Sequence, residues 1–260
     1  MSHFATPSPA SLVRRFAANP TPAGRDLLVG DVHGCFTKLR AALDAVGFDP
    51  DAGDRLFSVG DLVDRGPESA DVLWWLDQPW FAAVQGNHED MAVRWGRPGC
   101  AMDAQLYALN GGAWNVAHTP PERLAFSDAL GSLPMAIELE TAAGLVGIVH
   151  ADCPLPTWAE FVAALENPEL SNARLRALRE TACWSRGRVE AGLCDPVPDV
   201  RAVVVGHTPV ERPIALGNVL HIDTGAWLQG GLSPREFAVL DAATLLPACH
   251  PGPRAPVNPS

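Results

Sequence analysis

Five short apolar runs in this chain are each followed, within three residues, by side chains that bind metal ions or transfer protons. Short apolar runs of this kind are typical of buried strands. Ligands of open α/β sheets collect where such strands end, so we expect these polar side chains to share one crevice. In chain order they are Asp31 with His33, Asp61, Asn87 with His88, His150, and His207.

The donor groups in this set are carboxylates, an amide and imidazoles, a composition that favours two divalent metal ions. Asp31 and His33 are two residues apart, so on extended backbone both side chains leave one face and can share a cation. Asp61 can give one carboxylate oxygen to that ion and the other to a second ion. The second ion would be completed by Asn87, His150 and His207. The absence of thiolates from the set favours Mn²⁺, with Fe, Zn, Ni or Mg as alternatives, over a structural zinc site.

Other polar residues near these positions suit phosphoryl transfer. Two ions about 3.5–4 Å apart would activate a bridging water as hydroxide and hold a phosphoryl group for direct in-line attack. Arg65 and Arg186 can bind the phosphate oxygens, because a guanidinium matches them in bidentate geometry. His88 is placed to protonate the leaving alkoxide, with Asp64 fixing its orientation. The predicted catalytic residues are therefore His88, Asp64, Arg65 and Arg186, and no residue is assigned to an organic cofactor.

Each motif also has a purely structural interpretation when it is taken alone. A Gly-Asp pair is commonly a turn, and Asn-His-Glu can cap a helix N-terminus. Asp64 with Arg65 can be a surface ion pair that contributes little. The recurrence of the pattern at five predicted strand ends favours a shared site. His118 is interpreted as a surface residue, and His221 as a residue beside the substrate or behind the ligands.

Periodicity predicts one catalytic domain over residues 26–246, flanked by two proline-rich segments. Residues 1–25 contain four prolines among Ala, Ser and Thr and are expected to be loose, as is the tail over 247–260. Alternating strand and helix patterns from Asp26 onward indicate βα units with parallel strands. A hairpin is predicted over 135–149, and residues 187–200 are expected to form a loop.

Composition excludes several classes of protein. The net charge of -11 argues against a nucleic-acid partner, because phosphate backbones are bound by an excess of Lys and Arg. No apolar run approaches the ~20 residues of a membrane span, and no export signal is recognisable, so a cytoplasmic protein is expected. Six scattered cysteines form no Cys-X-X-Cys pair and are expected to be reduced. Oligomeric state is left open by the sequence.

The motifs together resemble the phosphoprotein phosphatase family of metallophosphoesterases, and within it bacteriophage lambda protein phosphatase and its bacterial relatives. The resemblance covers roughly residues 26–240, and its motifs are specific. Relatives in that group have Tyr where this chain has His221, which puts substrate preference in doubt. The motifs that carry the resemblance are Gly30-Asp31-Val32-His33-Gly34, Gly60-Asp61-Leu62-Val63-Asp64-Arg65-Gly66, Gly86-Asn87-His88-Glu89, Asn110-Gly111-Gly112, His150-Ala151-Asp152, Trp184-Ser185-Arg186, Gly206-His207-Thr208-Pro209 and Ile222-Asp223-Thr224-Gly225-Ala226.

The resemblance implies a calcineurin-like α/β fold, in which a central β-sandwich of two mixed sheets is flanked by helices. It implies hydrolysis of phosphoserine and phosphothreonine in proteins, with phosphotyrosine as a further substrate. The main alternative is a diadenosine tetraphosphate hydrolase, but such relatives typically replace the aspartate at the Asp64 position. A non-catalytic binding module is a second alternative, and it should have lost a ligand or His88. Neither has been lost here.

Overall fold

The strands predicted to carry the site are short, apolar and fully covered, and they belong to two mixed sheets. The computed structural model describes residues 11–97, 99, 102–228 and 235–249. The strands of this part are β1 Val13–Phe16, β2 Asp26–Val29, β3 Arg55–Ser58, β4 Phe81–Ala83, β5 Ala136–Thr141, β6 Gly144–Ile148, β7 Ala202–Val205, β8 Ile214–Leu216, β9 Val219–His221 and β10 Val239–Asp241. The α-helices are α1 Phe36–Ala45, α2 Val72–Leu76, α3 Asn87–Gly96, α4 Ala104–Tyr107, α5 Ala113–Val116, α6 Pro120–Gly131, α7 Trp158–Glu166, α8 Asn172–Trp184 and α9 Gly187–Ala191.

One sheet has the strand order β1-β5-β6-β7-β9-β8, and the other has the order β10-β2-β3-β4. Strands β2, β3 and β4 are parallel, as are β6, β7 and β9. Parallel neighbours place their carboxyl ends at the same sheet edge. The ends of β2, β3 and β4 in one sheet and of β6 and β7 in the other therefore deliver the five predicted polar clusters.

The two sheets face each other across an apolar layer, and helices cover both outer faces. The inner layer includes Leu28 and Phe57 of one sheet and Ile148 and Val204 of the other, all at most 1% exposed. Helices α1, α3 and α6 cover the first sheet, and α7 and α8 cover the second. This arrangement is the two-sheet α/β architecture expected from the family resemblance, and that prediction is confirmed.

Two local expectations were wrong, and one strand was not predicted. The described residues before Asp26 are not all loose, because Val13–Phe16 pairs in parallel with β5. The run Val13-Arg14-Arg15-Phe16 lacks the alternation of apolar and polar residues that would predict a strand. Residues 187–200 contain the helix α9, and the strand β8 was not predicted. The outer segments 1–10 and 250–260 lie outside the described residues, so the domain limits at 26 and 246 stay predictions.

The predicted hairpin is confirmed, since β5 and β6 pair antiparallel from Ile137 with Ile148 to Thr141 with Gly144. No helix in the described part of the chain is long and apolar enough to cross a membrane. Five cysteines lie within the described ranges, and all five are free thiols.

Candidate metal centre

Asp61 lies at the middle of a buried group of carboxylate and imidazole side chains. Its Oδ1 is 3.4 Å from His150 Nε2, and its Oδ2 is 3.5 Å from His33 Nε2. Two groups of potential ligand atoms share Asp61, one with His33 and His88 and the other with His150 and His207. Each group spans no more than 4.8 Å, and all of these side chains are buried. One carboxylate therefore connects two compact clusters of donors.

The imidazoles of His33 and His150 are oriented by backbone carbonyls. Nδ1 of His33 donates to Val63 O at 2.9 Å, and Nδ1 of His150 donates to Val59 O at 2.8 Å. Each Nδ1 therefore carries a hydrogen, and each Nε2 faces Asp61 and is the ring atom available to a cation. Metal-binding histidines are typically held this way, with the second ring nitrogen donating to a carbonyl or carboxylate.

Asn87, at the start of α3, completes the second cluster. Its Oδ1 lies 3.0 Å from His150 Nε2 and 3.0 Å from His207 Nδ1. An amide oxygen and two imidazole nitrogens thus converge on one point, which is the arrangement required of ligands to one cation.

Asp31 lies beside the first cluster, but not for the reason predicted from its spacing. Asp31 Oδ2 is 4.0 Å from His33 Nε2, so the two side chains do approach each other. The backbone between them is not extended, because His33 has a φ of 45°. The side chains meet because the chain turns after β2, and the backbone N–H of His207 holds the Asp31 carboxylate at 3.1 Å from both oxygens.

The backbone is strained at several of the predicted site residues. Positive φ angles occur at His33 (45°), Asp61 (49°), Asp64 (70°), Arg65 (68°) and His207 (64°). Residues with a Cβ rarely adopt this region, and such conformations cluster at functional sites where the surrounding structure imposes them. The backbone also packs closely against the carboxylates, since a Cβ on Gly206 would lie 2.0 Å from Asp31 Oδ1 and one on Gly86 would lie 2.2 Å from Asp61 Oδ1.

His88 and Asp64 form a buried pair next to the two clusters. His88 Nδ1 is 2.8 Å from Asp64 Oδ2, and His88 Nε2 is 3.9 Å from Asp61 Oδ2. The second oxygen of Asp64 accepts hydrogen bonds from Tyr107 OH at 3.1 Å and Trp114 Nε1 at 2.7 Å. These two aromatic residues were not identified from the sequence, since neither carries a metal-binding or acid group.

Arg65 lies over the first cluster, whereas Arg186 lies at the rim of the second. The guanidinium of Arg65 is 3.0 Å from His33 Nε2 and 3.0 Å from His88 Nε2. It stacks on Trp227 with its carbon 4.1 Å from the ring centroid. Arg186 is exposed, and its charge is among those that lower the pKa of His207.

Comparison with known proteins assigns this architecture to a family. The calcineurin-like phosphoesterase profile matches residues 25–211. The chain belongs to the calcineurin-like phosphoesterase family. Salmonella typhimurium serine/threonine-protein phosphatases 1 and 2 are 35% and 32% identical to it over 212 residues, covering 79% of this chain and 88% and 89% of theirs. The resemblance to bacterial serine/threonine phosphatases inferred from the motifs is therefore confirmed.

Solved structures share the fold of this phosphoesterase chain at low sequence identity. A protein serine/threonine phosphatase from Saccharomyces cerevisiae superposes with a TM-score of 0.51 at 17% identity, covering 89% of this chain and 84% of that one. A cold-active protein-tyrosine phosphatase from Shewanella gives a TM-score of 0.51 at 18% identity, with coverage of 89% and 77%. At this identity the similarity concerns the fold alone.

The electrostatics of the phosphoesterase site favour a bound cation. Burial raises the pKa of Asp31, and the nearby Asp223 carboxylate raises it further. Burial alone would raise the pKa of Asp61, but His150 and His88 outweigh it and hold this pKa well below the ordinary value. Burial lowers the pKa of His150, but Asp61 and Asp31 raise it to about 10. Burial and His150 together lower the pKa of His207 to about 3.

These shifts reflect burial together with the mutual charges of several ionisable groups in a small volume. When the imidazoles are neutral, as metal ligands must be, the buried carboxylates require a compensating positive charge, and divalent ions supply it. The donor set, its burial and the oriented imidazoles fit two divalent ions with Asp61 between them.

Glu89 is a supporting residue of this site that sequence reasoning did not identify. It is fully buried on α3 and accepts hydrogen bonds from the backbone N–H groups of Asp61, Leu62 and Gly86 at 2.7–2.8 Å. Burial, followed by the charge of Asp61, raises its pKa to about 7. Glu89 thus holds the strained backbone of Asp61 in place. Its position two residues after Asn87 was the only available signal.

His221 ends β9 and is 2% exposed, with neither ring nitrogen hydrogen-bonded to any described residue. Burial is the main reason that its pKa falls to about 4, with Asp152 opposing and Arg188 adding to the shift. The interpretation of His221 as a residue beside the substrate or behind the ligands stays a prediction. His118 is a partly exposed residue 3.6 Å from Glu122, as expected for a surface position.

Proposed function

We propose that this chain is a metal-dependent phosphomonoesterase that removes phosphate from phosphoserine and phosphothreonine in proteins, with phosphotyrosine as a further substrate. The observation that carries the proposal is the position of Asp61 between two buried donor clusters, beside the His88–Asp64 pair. The 32–35% identity to bacterial serine/threonine-protein phosphatases over most of both chains supports the protein substrate.

The ligands we assign to the first ion are Asp31, His33 and Asp61, and those of the second are Asp61, Asn87, His150 and His207. Two divalent ions, Mn²⁺ in our proposal, would supply an activated water as nucleophile and neutralise charge on the phosphoryl group. His88 also lies within reach of the first cluster. We assign it to proton transfer, because Asp64 binds its Nδ1 and its Nε2 faces Arg65.

The protein side chains then have distinct tasks. Arg65 and Arg186 bind the non-bridging phosphate oxygens, and Trp227 holds the guanidinium plane of Arg65. His88 donates its Nε2 proton to the departing serine or threonine oxygen, because such an alkoxide is strongly basic. Asp64 fixes the ring of His88, and Tyr107 and Trp114 fix Asp64.

A second candidate function is hydrolysis of dinucleoside polyphosphates. The symmetrical bis(5'-nucleosyl)-tetraphosphatase of Photorhabdus laumondii is 50% identical over 64 residues, which is 24% of this chain and 23% of that protein. The short match favours shared metal chemistry over shared substrate binding. Asp64, with its two aromatic donors, favours the phosphatase.

One assay panel tests the proposal. Purified protein with added Mn²⁺ is given phosphoserine and phosphothreonine peptides, diadenosine tetraphosphate and p-nitrophenyl phosphate, and kcat/KM is measured for each. We expect the phosphopeptides to be hydrolysed with kcat/KM well above that for diadenosine tetraphosphate. Preferential hydrolysis of diadenosine tetraphosphate would replace the proposal by the second candidate.

A further inference from the structure

A pocket lined by arginines lies between α3 and α8, outside the metal centre. Its volume is about 650 Å³. Its lining residues are Asp90, Arg94, Arg176, Arg179, Glu180 and Trp184. Three arginines against two carboxylates leave one positive charge in a chain whose net charge is -11. The pocket is therefore a local basic site on an acidic protein.

The two carboxylates of the pocket do not neutralise the charges of the three arginines equally. Asp90 is buried, and it accepts a hydrogen bond from Arg179 Nη1 at 2.7 Å and lies 3.8 Å from Arg94 Nη1. Arg94 remains half exposed, with 50% of its side chain accessible. Arg176 is exposed and has no ion-pair partner within the ranges that the structure describes. Arg94 and Arg176 thus offer guanidinium groups to a ligand, while Asp90 fixes Arg179 in the wall.

Both walls of the pocket lead directly to the candidate metal centre. Helix α3 begins at Asn87 and carries Asp90 and Arg94 further along. Helix α8 carries Arg176 and ends at Trp184, whose ring centroid is 6.5 Å from that of His207. A helix rises about 1.5 Å per residue, so Arg94 and Arg176 lie about 10–12 Å along their helices from Asn87 and Trp184.

We propose that this arginine pocket binds an anionic group of the phosphopeptide substrate, about three residues away from the phosphoserine or phosphothreonine. The inference rests on the proposed function. An extended peptide advances about 3.3 Å per residue, so three residues span the distance from the centre to the pocket. Guanidinium groups bind both carboxylates and phosphates, so the anionic group is an Asp or Glu side chain or a second phosphorylated residue.

Matched phosphoserine peptides test the pocket. Each carries Glu, Gln or a second phosphoserine three residues before or after the reacting phosphoserine, and kcat/KM is measured with Mn²⁺. For one of the two directions, we expect the wild-type protein to prefer the Glu and doubly phosphorylated peptides over the Gln peptide by about 3- to 10-fold, the range of a charge-assisted contact. If both the Glu peptide and the doubly phosphorylated peptide are preferred, the pocket binds carboxylates and phosphates alike. If only the doubly phosphorylated peptide is preferred, the pocket is specific for a phosphate group.

Variants separate binding in the pocket from general damage. In Arg176→Ala the ratio of kcat/KM for the Glu and Gln peptides should fall towards one, and in Arg176→Glu it should fall below one. Arg174→Ala is the matched control, because Arg174 is exposed on the same helix and does not line the pocket. It should keep the wild-type ratio. Raising the salt concentration should also reduce the wild-type ratio, since exposed charges are screened.

Several outcomes would overturn the inference. A wild-type ratio of one in both directions would do so, as would a ratio that survives both Arg176→Ala and Arg94→Ala. A ratio of one combined with loss of diadenosine tetraphosphate hydrolysis in Arg176→Ala would assign the pocket to polyphosphates instead. Hydrolysis of the Gln peptide separates these outcomes from failure of the proposed function, because a phosphatase without a functional pocket still hydrolyses it. If no phosphopeptide were hydrolysed, the proposed function and this inference would both be wrong.

Discussion

His88 Nδ1 lies 2.8 Å from Asp64 Oδ2, with His88 1% exposed and Asp64 fully buried. The carboxylate accepts the Nδ1 hydrogen, so Nε2 is the ring atom that can exchange a proton with substrate. This geometry suits the general-acid role that we propose for His88, with Asp64 orienting its ring.

Replacing His88 by Asn should reduce rate unevenly between substrates. A serine alkoxide is a poor leaving group and needs the proton, whereas p-nitrophenolate leaves largely unaided. We expect kcat to fall by about 10²- to 10⁴-fold on phosphoserine peptides and by less on p-nitrophenyl phosphate. The measurement is kcat on both substrates with metal content determined in parallel.

His150→Asn is the matched comparison, because it removes a proposed metal ligand instead of the acid. It should lower metal occupancy and reduce both activities alike. If His88→Asn retained its metal and lost both activities equally, with chemistry rate-limiting, the acid role of His88 would have to be abandoned.

Tyr107→Phe should weaken the His88–Asp64 pair, because Tyr107 helps to hold the Asp64 carboxylate. The change keeps the buried ring and removes the hydroxyl, which donates to Asp64 Oδ1 and accepts from Asn115 Nδ2 at 3.3 Å. One such bond contributes about 0.5–1.5 kcal/mol, so we expect about a 2- to 10-fold loss of kcat on phosphoserine peptides. A loss of equal size on p-nitrophenyl phosphate would indicate a structural effect on the whole site.

The order of strand ends and their polar residues was predictable, because each signal is local. A short apolar run followed by a polar residue can be recognised from the spacing of its apolar residues and from residue type alone. The five polar residues found in this way are Asp31, Asp61, Asn87, His150 and His207. The structure brings all five strand ends to one edge. Strand β1 was missed because its pairing with β5 lies far away in sequence. Helix α9 was missed because it has five residues and none of them is buried, so it carries no apolar period.

The supporting residues of the site could not be predicted in the same way. Tyr107 and Trp114 approach Asp64 across 43 and 50 residues of sequence, and Trp227 meets Arg65 from the far end of the domain. Such contacts depend on the tertiary fold, and neither spacing nor composition encodes them. The left-handed backbone at Asp61 likewise reflects Glu89 and Gly86 more than any local propensity.

Trp227→Ala should impair phosphate binding through Arg65. Stacking of a guanidinium on Trp contributes about 0.5–2 kcal/mol, so the inhibition constant of inorganic phosphate should rise by about 2- to 30-fold. Trp227→Phe keeps an aromatic face and should recover most of the affinity. Metal content must be checked as well, because the ring also packs 4.5 Å from that of His33. Unchanged phosphate inhibition in Trp227→Ala would exclude this role.

Asp54 should make the fold sensitive to acid. Burial raises the pKa of Asp54, but its hydrogen bonds to Arg25 outweigh this and lower the pKa below the ordinary value. The stabilisation is therefore present above the unfolded pKa and lost as the pH falls through the folded one. Asp54→Asn should cost about 2 kcal/mol at pH 7, and the cost should shrink below about pH 4.

The measurement is the free energy of unfolding in denaturant at pH 7 and pH 3, at fixed metal concentration. Asp51→Asn is the control, because Asp51 is exposed on the adjoining 3₁₀ turn Pro50–Ala52. It should change stability by less than about 0.5 kcal/mol at either pH. A difference between Asp54→Asn and wild type that is constant over this range would contradict the assignment.

The central claim is that two metal ions share Asp61 and that hydrolysis of phosphoserine depends on them. The most direct measurement removes metal with a chelator, verifies its absence by elemental analysis, and follows phosphoserine-peptide hydrolysis as Mn²⁺ is added back. We predict no turnover without metal, recovery on binding about two ions per chain, and nearly complete loss of turnover in Asp61→Asn at any Mn²⁺ concentration. Full activity in protein shown to be metal-free would contradict the account.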